Sequence, residues 1–311
     1  MKPENHQTKI TPFASPSPRP KTPLRAFYGL VLIALALLSL TACALRTVQS
    51  GSVSEPAPLG LPDNIVCEIE LETQSDISRA DDGSILAAYT YRLPVMSLYR
   101  RNGEPVTEEN AADGRESDAV EMTNVFNRAF AQWKQEADFP ALEALARDDY
   151  AQKQAEKVAW DYHYEQGLES DVYQTDRFVS VSGRFYYYAG GAHPNTVLLG
   201  WNYDMEKAVF FYAGQLFQDT EAVTDELLRM ARERAGEWNM TPEEFYWEDY
   251  ADIINAWSEK SAAVTFDEYY MNVSYSPYDI ASYAAGEQIF SIPRTWLQPY
   301  LNQYGQHLLS R

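Results

Sequence analysis

The sequence predicts an α+β fold with mostly antiparallel sheets and several packing helices, on three observations. Strand-like alternation recurs in "VCEIELE" (66–72), "RFVSVSGRFYYY" (177–188) and "TVLLGWNYD" (196–204). Met122, Val125, Phe126, Ala129, Phe130 and Trp133 recur at helical spacing and mark a strongly amphipathic helix. Turn-forming clusters such as "AGGAHPN" (189–195) separate strands in hairpin fashion, and there is no regular βαβ alternation of the kind that builds parallel sheets.

In chain order, Cys67, Ile69 and Leu71 alternate with Glu68, Glu70 and Glu72, which places Cys67 on the buried face of a first strand, as a small free hydrophobe. Without a partner cysteine in the domain, no disulfide, metal or redox motif is proposed. Ile85, Ala87, Tyr89 and Tyr91 share one face of a second strand, and "RRNGEPVTEENAADGRES" (100–117) is a charged loop. The Phe126 helix has Asp118 and Glu121 placed as a capping box. Pro140 suits the first turn of a second helix, Ala141 to about Val158, where Asp149 and Lys153 can pair across one turn. From Tyr173 to Tyr203 the pattern is strand. The two glycines of "AGGAHPN" permit positive φ there, and Pro194 keeps His193 out of the helical region.

A further helix runs from about Thr220 to Gly236. Thr241-Pro242-Glu243-Glu244 combines an N-cap, an N1 proline and a capping box. It reads as the start of one helix whose Tyr246, Tyr250, Ile253, Ile254 and Trp257 form a single apolar face, with Trp247 the one aromatic turned off it. Strands around Val264 and from Tyr269 to Val273, the loop "YSPYDIASYAAGE" (275–287), a strand Gln288–Ile292 and a short helix after Pro293 close the chain.

The formal net charge of −20 disfavours nucleic acid, whose phosphates such a surface repels, and favours cationic partners. Residues 1–25 are polar and Pro-rich, with Lys2, Lys9, Arg19, Lys21 and Arg25 against Glu4 alone. An uncharged apolar run, Ala26 to Ala42, then ends at Cys43, which is the layout of an export signal. Leu40-Thr41-Ala42-Cys43 resembles the bacterial lipobox, in which the cysteine is lipidated and becomes the mature N-terminus. The alternative is an uncleaved anchor, since Ala26 to Leu45 reaches across a bilayer core of ~30 Å. Both readings place the rest of the chain outside the cytoplasm, on the cell membrane. Removing residues 1–43 takes away five basic residues and one acid and leaves −24. Residues 44–62 are a Ser/Pro/Gly-rich tether to an ectodomain read in two halves, 63–183 and 184–311.

Two stretches of that ectodomain carry a family resemblance: "YYYAGGAHPNTVLLGWNYD" (186–204), with Gly190, Gly191, His193, Pro194 and Asn195, and "VSYSPYDIASYAAGEQIFSIP" (273–293), with Pro277, Tyr278, Ile280, Tyr283, Ala284, Ala285, Gly286 and Ile292-Pro293. Together they resemble the extracytoplasmic domain of RsiV-type anti-sigma factors, which also accompanies PdaC-type peptidoglycan deacetylases. In the RsiV-type proteins that domain is a receptor for lysozyme, which it binds and blocks, and it has no cofactor or catalytic residues of its own. The resemblance therefore implies capture of lysozyme, as inhibitor or sensor, with Gly190, Gly191, His193, Pro194, Asn195, Tyr278 and Gly286 as structural turn or binding lip. The pre-membrane segment is too short and helix-poor to resemble a sigma-binding domain, so ligand capture is what the resemblance leaves.

A catalytic reading would choose His193, which would need an orienting carboxylate, a nucleophile or metal partners. His163 in "WDYHYEQ" has no metal-ligand spacing to a second histidine, and neither Gly-x-Ser-x-Gly nor His-Glu-x-x-His occurs. No catalytic residue, metal or cofactor is therefore assigned. Binding of peptidoglycan or another cell-wall glycan is the alternative function, and a hydrolase using His193 the third.

Overall fold

A long hairpin opens the fold: β1 (Ile65–Arg79) and β2 (Ile85–Arg100) pair antiparallel along their whole length. They begin a six-stranded sheet completed, in sequence order, by β3 (Tyr164–Gln174), β4 (Phe178–Tyr188), β5 (Asn195–Asp204) and β6 (Val209–Phe211). The computed structural model describes residues 61–161, 163–259 and 261–309; Cys43, the apolar run before it and the tether up to residue 60 lie outside the described residues. Among the described residues no helix is long and apolar enough to cross a membrane. Strands begin earlier than the sequence pattern suggests, at Tyr164 rather than Tyr173, and β2 continues to Arg100.

One neighbouring pair, β2 with β3, is parallel, because α1 (Gly114–Glu136) and α2 (Phe139–Glu156) carry the chain back to the starting end before β3 begins. This single crossover is the one parallel pair among otherwise antiparallel strands of the described residues, in keeping with an α+β fold of mostly antiparallel sheets without regular βαβ alternation. The expected division after residue 183 falls inside β4.

Cys67, Ile69 and Leu71 do share a face of β1, but that strand is the sheet edge and all three are half-buried rather than buried. Partial burial still pushes the Cys67 thiol up to about 12. Along β2 the buried set changes parity at Pro94, from Tyr91 and Leu93 to Pro94, Met96 and Leu98.

α1 lays its predicted face on the sheet. Phe126 and Phe130 meet Tyr203 and Trp201 edge-on at 5.4 and 5.2 Å between ring centroids, and Trp133 stands edge-on to Phe185 and Tyr91. The buried Tyr91 hydroxyl donates to Gln166 Oε1, and Gln166 Nε2 donates to the Ala137 carbonyl at 2.9 Å. That chain of bonds ties the parallel pair to the α1–α2 junction.

The helix starts a turn earlier than expected. Its cap is Asp113, whose side chain accepts from the Glu116 amide at 3.0 Å, while Asp118 and Glu121 sit exposed on the outer face. The cause is Glu116, which is buried and accepts from Arg100 Nη2 at 2.7 Å, the Ala112 amide at 2.8 Å and Asn64 Nδ2 at 3.1 Å. These donors, the Arg100 guanidinium foremost, hold its carboxyl down at about 2 and draw the first helical turn onto the hairpin.

The other face of the large sheet carries α3 (Glu221–Glu237), α4 (Pro242–Phe245), α5 (Tyr250–Asn255) and a three-stranded antiparallel sheet of β7 (Ala263–Phe266), β8 (Tyr270–Tyr275) and β9 (Gln288–Pro293). Two short helices, α6 (Arg294–Leu297) and α7 (Gln303–Leu309), follow. Phe178, Leu216, Leu227, Trp257, Tyr275 and Phe290 are buried at the centre of this second core.

The single helix expected from Thr241 is two helices. Its capping box forms, but at Tyr246 the backbone turns extended, Tyr246 bridges Ala281, and the Trp247 amide donates to the Ile280 carbonyl at 2.9 Å. Those bonds to a distant loop replace the next helical turn. Of the expected apolar face, Tyr246, Ile254 and Trp257 are in the core and Tyr250 and Ile253 half-buried, as is Trp247.

The two sheets are fastened where β7 lies against β5 and β4. The Ser180 hydroxyl donates to Asn202 Oδ1 at 2.8 Å and accepts from the Phe266 amide at 2.8 Å; Asn202 Nδ2 donates to the Val264 carbonyl at 2.8 Å. Beside this bridge the Val264 backbone passes so close to Gly200 that a Cβ there would lie 2.8 Å from the Val264 oxygen.

Gly200→Ala should therefore destabilise the fold by about 1–3 kcal/mol through overpacking. Gly236→Ala, in α3 with nothing within 4 Å of the new Cβ, should be neutral or stabilising. Urea midpoints of the two variants check this. Because the folded Glu116 carboxyl titrates at about 2, below its ordinary 4.5, its contribution is complete above about pH 4.5 and is lost as pH falls towards 2. The stability gap between wild type and Glu116→Gln should narrow over that window in urea titrations run from pH 5 to pH 2.

Candidate functional site

The connection between β4 and β5 spans residues 189–194, with Tyr187 opposite Asn195 as the last strand pair. Gly190 at φ +80° and Gly191 at φ +105° take the backbone through a region that side chains disfavour, and the Tyr188 hydroxyl donates to the Gly191 carbonyl at 3.2 Å. Pro194 then directs the chain into β5. The turn projects His193 towards the loop joining β8 to β9.

That loop is held by its own bonds. Asp279 Oδ2 accepts from the Ser276 amide at 2.7 Å, Gly286 closes the Tyr283–Ala285 turn at φ +69°, and Gln288 Nε2 donates to the Ala285 carbonyl at 2.8 Å. Two further bonds dock it on the hairpin: the Leu198 amide to Ser276 Oγ at 3.0 Å, and Arg184 Nη2 to Glu287 Oε2 at 2.6 Å.

His193 completes the junction. Its ring stacks on Tyr283 with centroids 3.8 Å apart and planes 16° from parallel. Nδ1 lies 2.9 Å from the Pro194 carbonyl, which can only accept, so the proton sits on Nδ1 and Nε2 accepts from the Tyr278 hydroxyl at 3.2 Å. Tyr278 itself adopts φ +74°, a costly conformation for a tyrosine, and is 46% exposed; Tyr283 is 36% exposed. The product is a rigid aromatic lip of one imidazole and two phenol rings.

The structure thus brings together His193, Tyr278, Gly190, Gly191, Pro194 and Gly286 from two segments some eighty residues apart in sequence, and puts Asn195 at the root of the hairpin. Cys43 lies outside the described residues. Tyr283, which carries the stacking, is marked in the sequence only by its place in the second motif. Ser276 lies in the same motif stretch, and Arg184, which also docks the loop, carries no signal beyond its place in a strand.

Chemically the lip suits contact. The Nε2 lone pair that a general base would present to a substrate is taken up by Tyr278, and no carboxylate of the described residues hydrogen-bonds to His193. His163 bonds Glu165, which also accepts from Tyr186, and His307 bonds Glu206 at 2.6 Å. No group of three His, Cys, Asp or Glu that could hold a metal ion occurs among the described residues.

No family model matches the chain, and no curated protein matches it in sequence. The fold is shared with a crystal structure of a DUF3298 family member from Bacteroides fragilis, at a TM-score of 0.54 and 16% identity, covering 81% of this chain and 99% of the other. A DUF3298 family protein from Pseudomonas aeruginosa aligns at a TM-score of 0.44 and 14% identity, over 79% of this chain and 97% of that one.

Replacing His193 by alanine removes the stacking partner of Tyr283 and the acceptor of Tyr278. A loss of about 1 kcal/mol is expected, read as a lower urea midpoint. A His193→Ala protein as stable as wild type contradicts the clamp described here.

Proposed function

We propose that this chain is an RsiV-like, lipid-anchored extracytoplasmic protein that captures a cationic protein, lysozyme in particular, by its aromatic lip, as inhibitor or sensor. The observation that carries this reading is the pair of exposed tyrosines, Tyr278 and Tyr283, held rigid by His193 at the meeting point of the two motifs. Exposed tyrosines whose rotamers are already restrained lose little further entropy on binding, and tyrosine is enriched among residues that dominate interface energy. The −24 charge left once residues 1–43 are removed supplies steering: a cationic protein is drawn in by the long-range field and docks on the uncharged aromatic surface. Lysozyme is nominated by the family resemblance of the two motifs, and the anchor by Leu40-Thr41-Ala42-Cys43.

The test is a titration of the full-length protein in detergent micelles with a cationic lysozyme. Binding should weaken as salt rises past ~0.1 M, where the Debye length falls to about 10 Å. Tyr278→Ala should lower affinity about thirtyfold, near 2 kcal/mol, and cost the fold no more than His193→Ala does, since it removes the same hydroxyl–imidazole bond. Absence of binding in dilute buffer, or indifference to the loss of the Tyr278 ring, overturns the reading.

A further inference from the structure

A second surface feature lies at the β7–β8 turn. A cavity of about 530 Å³ is bordered by Glu268, Tyr269, Tyr270, Thr295 and Gln298, with Arg294 beneath. Its volume falls within the ~300–1,000 Å³ of small-ligand sites. None of the lip residues borders it.

The turn that carries the two tyrosines is braced from both sides. Asp267 Oδ1 accepts from the amides of Tyr269 and Tyr270 at 2.8 Å each, and Asp267 Oδ2 accepts from Asn272 Nδ2 at 2.9 Å. The Arg294 amide donates to the Tyr269 carbonyl at 2.7 Å, and Arg294 Nη1 donates to the carbonyls of Asp267 and Glu268 at 3.0 and 3.4 Å. On this rigid backbone Tyr269 is 56% and Tyr270 41% exposed.

Charge decides what such a cavity would take. Arg294 is buried, and its guanidinium bonds only neutral acceptors: the carbonyls of Asp267, Glu268 and Leu309 and the Tyr173 hydroxyl. Among the described residues no carboxylate bonds this guanidinium; two stand nearby, Asp267, whose oxygens are taken up by the turn's amides and Asn272, and Glu268 at the rim. Two carboxylates about one buried guanidinium disfavour an anion, and Glu268 is the one carboxylate of the lining, exposed at its rim. The cavity offers two phenol rings, a carboxylate, an amide and a hydroxyl. That set matches an uncharged sugar, whose C–H face packs on aromatic rings while its hydroxyls bond polar side chains.

We infer that the Tyr269–Tyr270 cavity is a binding site for a neutral saccharide, separate from the His193 lip. The test is calorimetric titration of the full-length protein, in a detergent without a sugar headgroup, with the tetramer of β-1,4-linked N-acetylglucosamine and with a hexuronate tetramer. Saturable binding of the neutral tetramer is expected. Tyr269→Ala and Tyr270→Ala should each weaken it about tenfold, the equivalent of one lost aromatic contact, at unchanged melting temperature. Gln298→Ala should weaken it as well, and Tyr278→Ala should leave it intact. No binding of the neutral tetramer, binding insensitive to both tyrosine variants, or equal binding of the charged tetramer would overturn the assignment.

Discussion

Gly200 has no side chain where the backbone of Val264 crosses it, and the arrangement of everything beyond the large sheet depends on that clearance. Asn202 uses the space beside it to reach the Val264 carbonyl, and Ser180 binds the Phe266 amide from the neighbouring strand. The small sheet is thereby set in register against β4 and β5. Its position puts the loop after β8 next to the turn after β4. A shift of β7 by one residue would exchange its inward and outward faces and carry Tyr278 and Tyr283 away from His193.

The lip is strained in one place and braced in several. Tyr278 holds a left-handed backbone that costs of order 1–3 kcal/mol, and such a conformation persists only where the surroundings over-determine it. Here the Asp279–Ser276 bonds, the Ser276–Leu198 bond and the Arg184–Glu287 pair do so. Elsewhere the molecule keeps its surface inert by charge. Glu68, Glu70 and Glu72 line the exposed face of the edge strand β1, opposite Ser97, Val95 and Leu93, so no basic side chain faces them across the strand pair. Such an edge repels pairing with a second copy.

Local chemistry made much of this legible. The hairpin at Gly190-Gly191, the helix of Phe126 and Phe130, the capping box at Thr241 and the strand at Gln288 all rest on bonds between residues close in sequence, and all form. The misplaced features share a different cause. The cap at Asp113 owes its position to Arg100, thirteen residues back on a strand. The break at Tyr246 exists because Ala281 and Ile280 offer hydrogen bonds from another segment. The first half of β3 carries Glu165, Gly167 and Glu169, so its alternation is muted, and its partners Ala87 to Tyr91 supply the strand context.

From the sequence alone came the α+β class, the anionic character of the chain, and both motifs that build the lip. The first two follow from composition and periodicity, the turn of the first motif from its glycines and proline, and the pairing of the two motifs from a family resemblance. The tertiary structure alone decided that the motifs meet, that His193 is engaged by Tyr278 and Tyr283, and that Tyr269 and Tyr270 border a cavity over Arg294. These are contacts between residues 20 to 90 positions apart. Such contacts depend on how two sheets pack, and no local pattern along the chain encodes that packing.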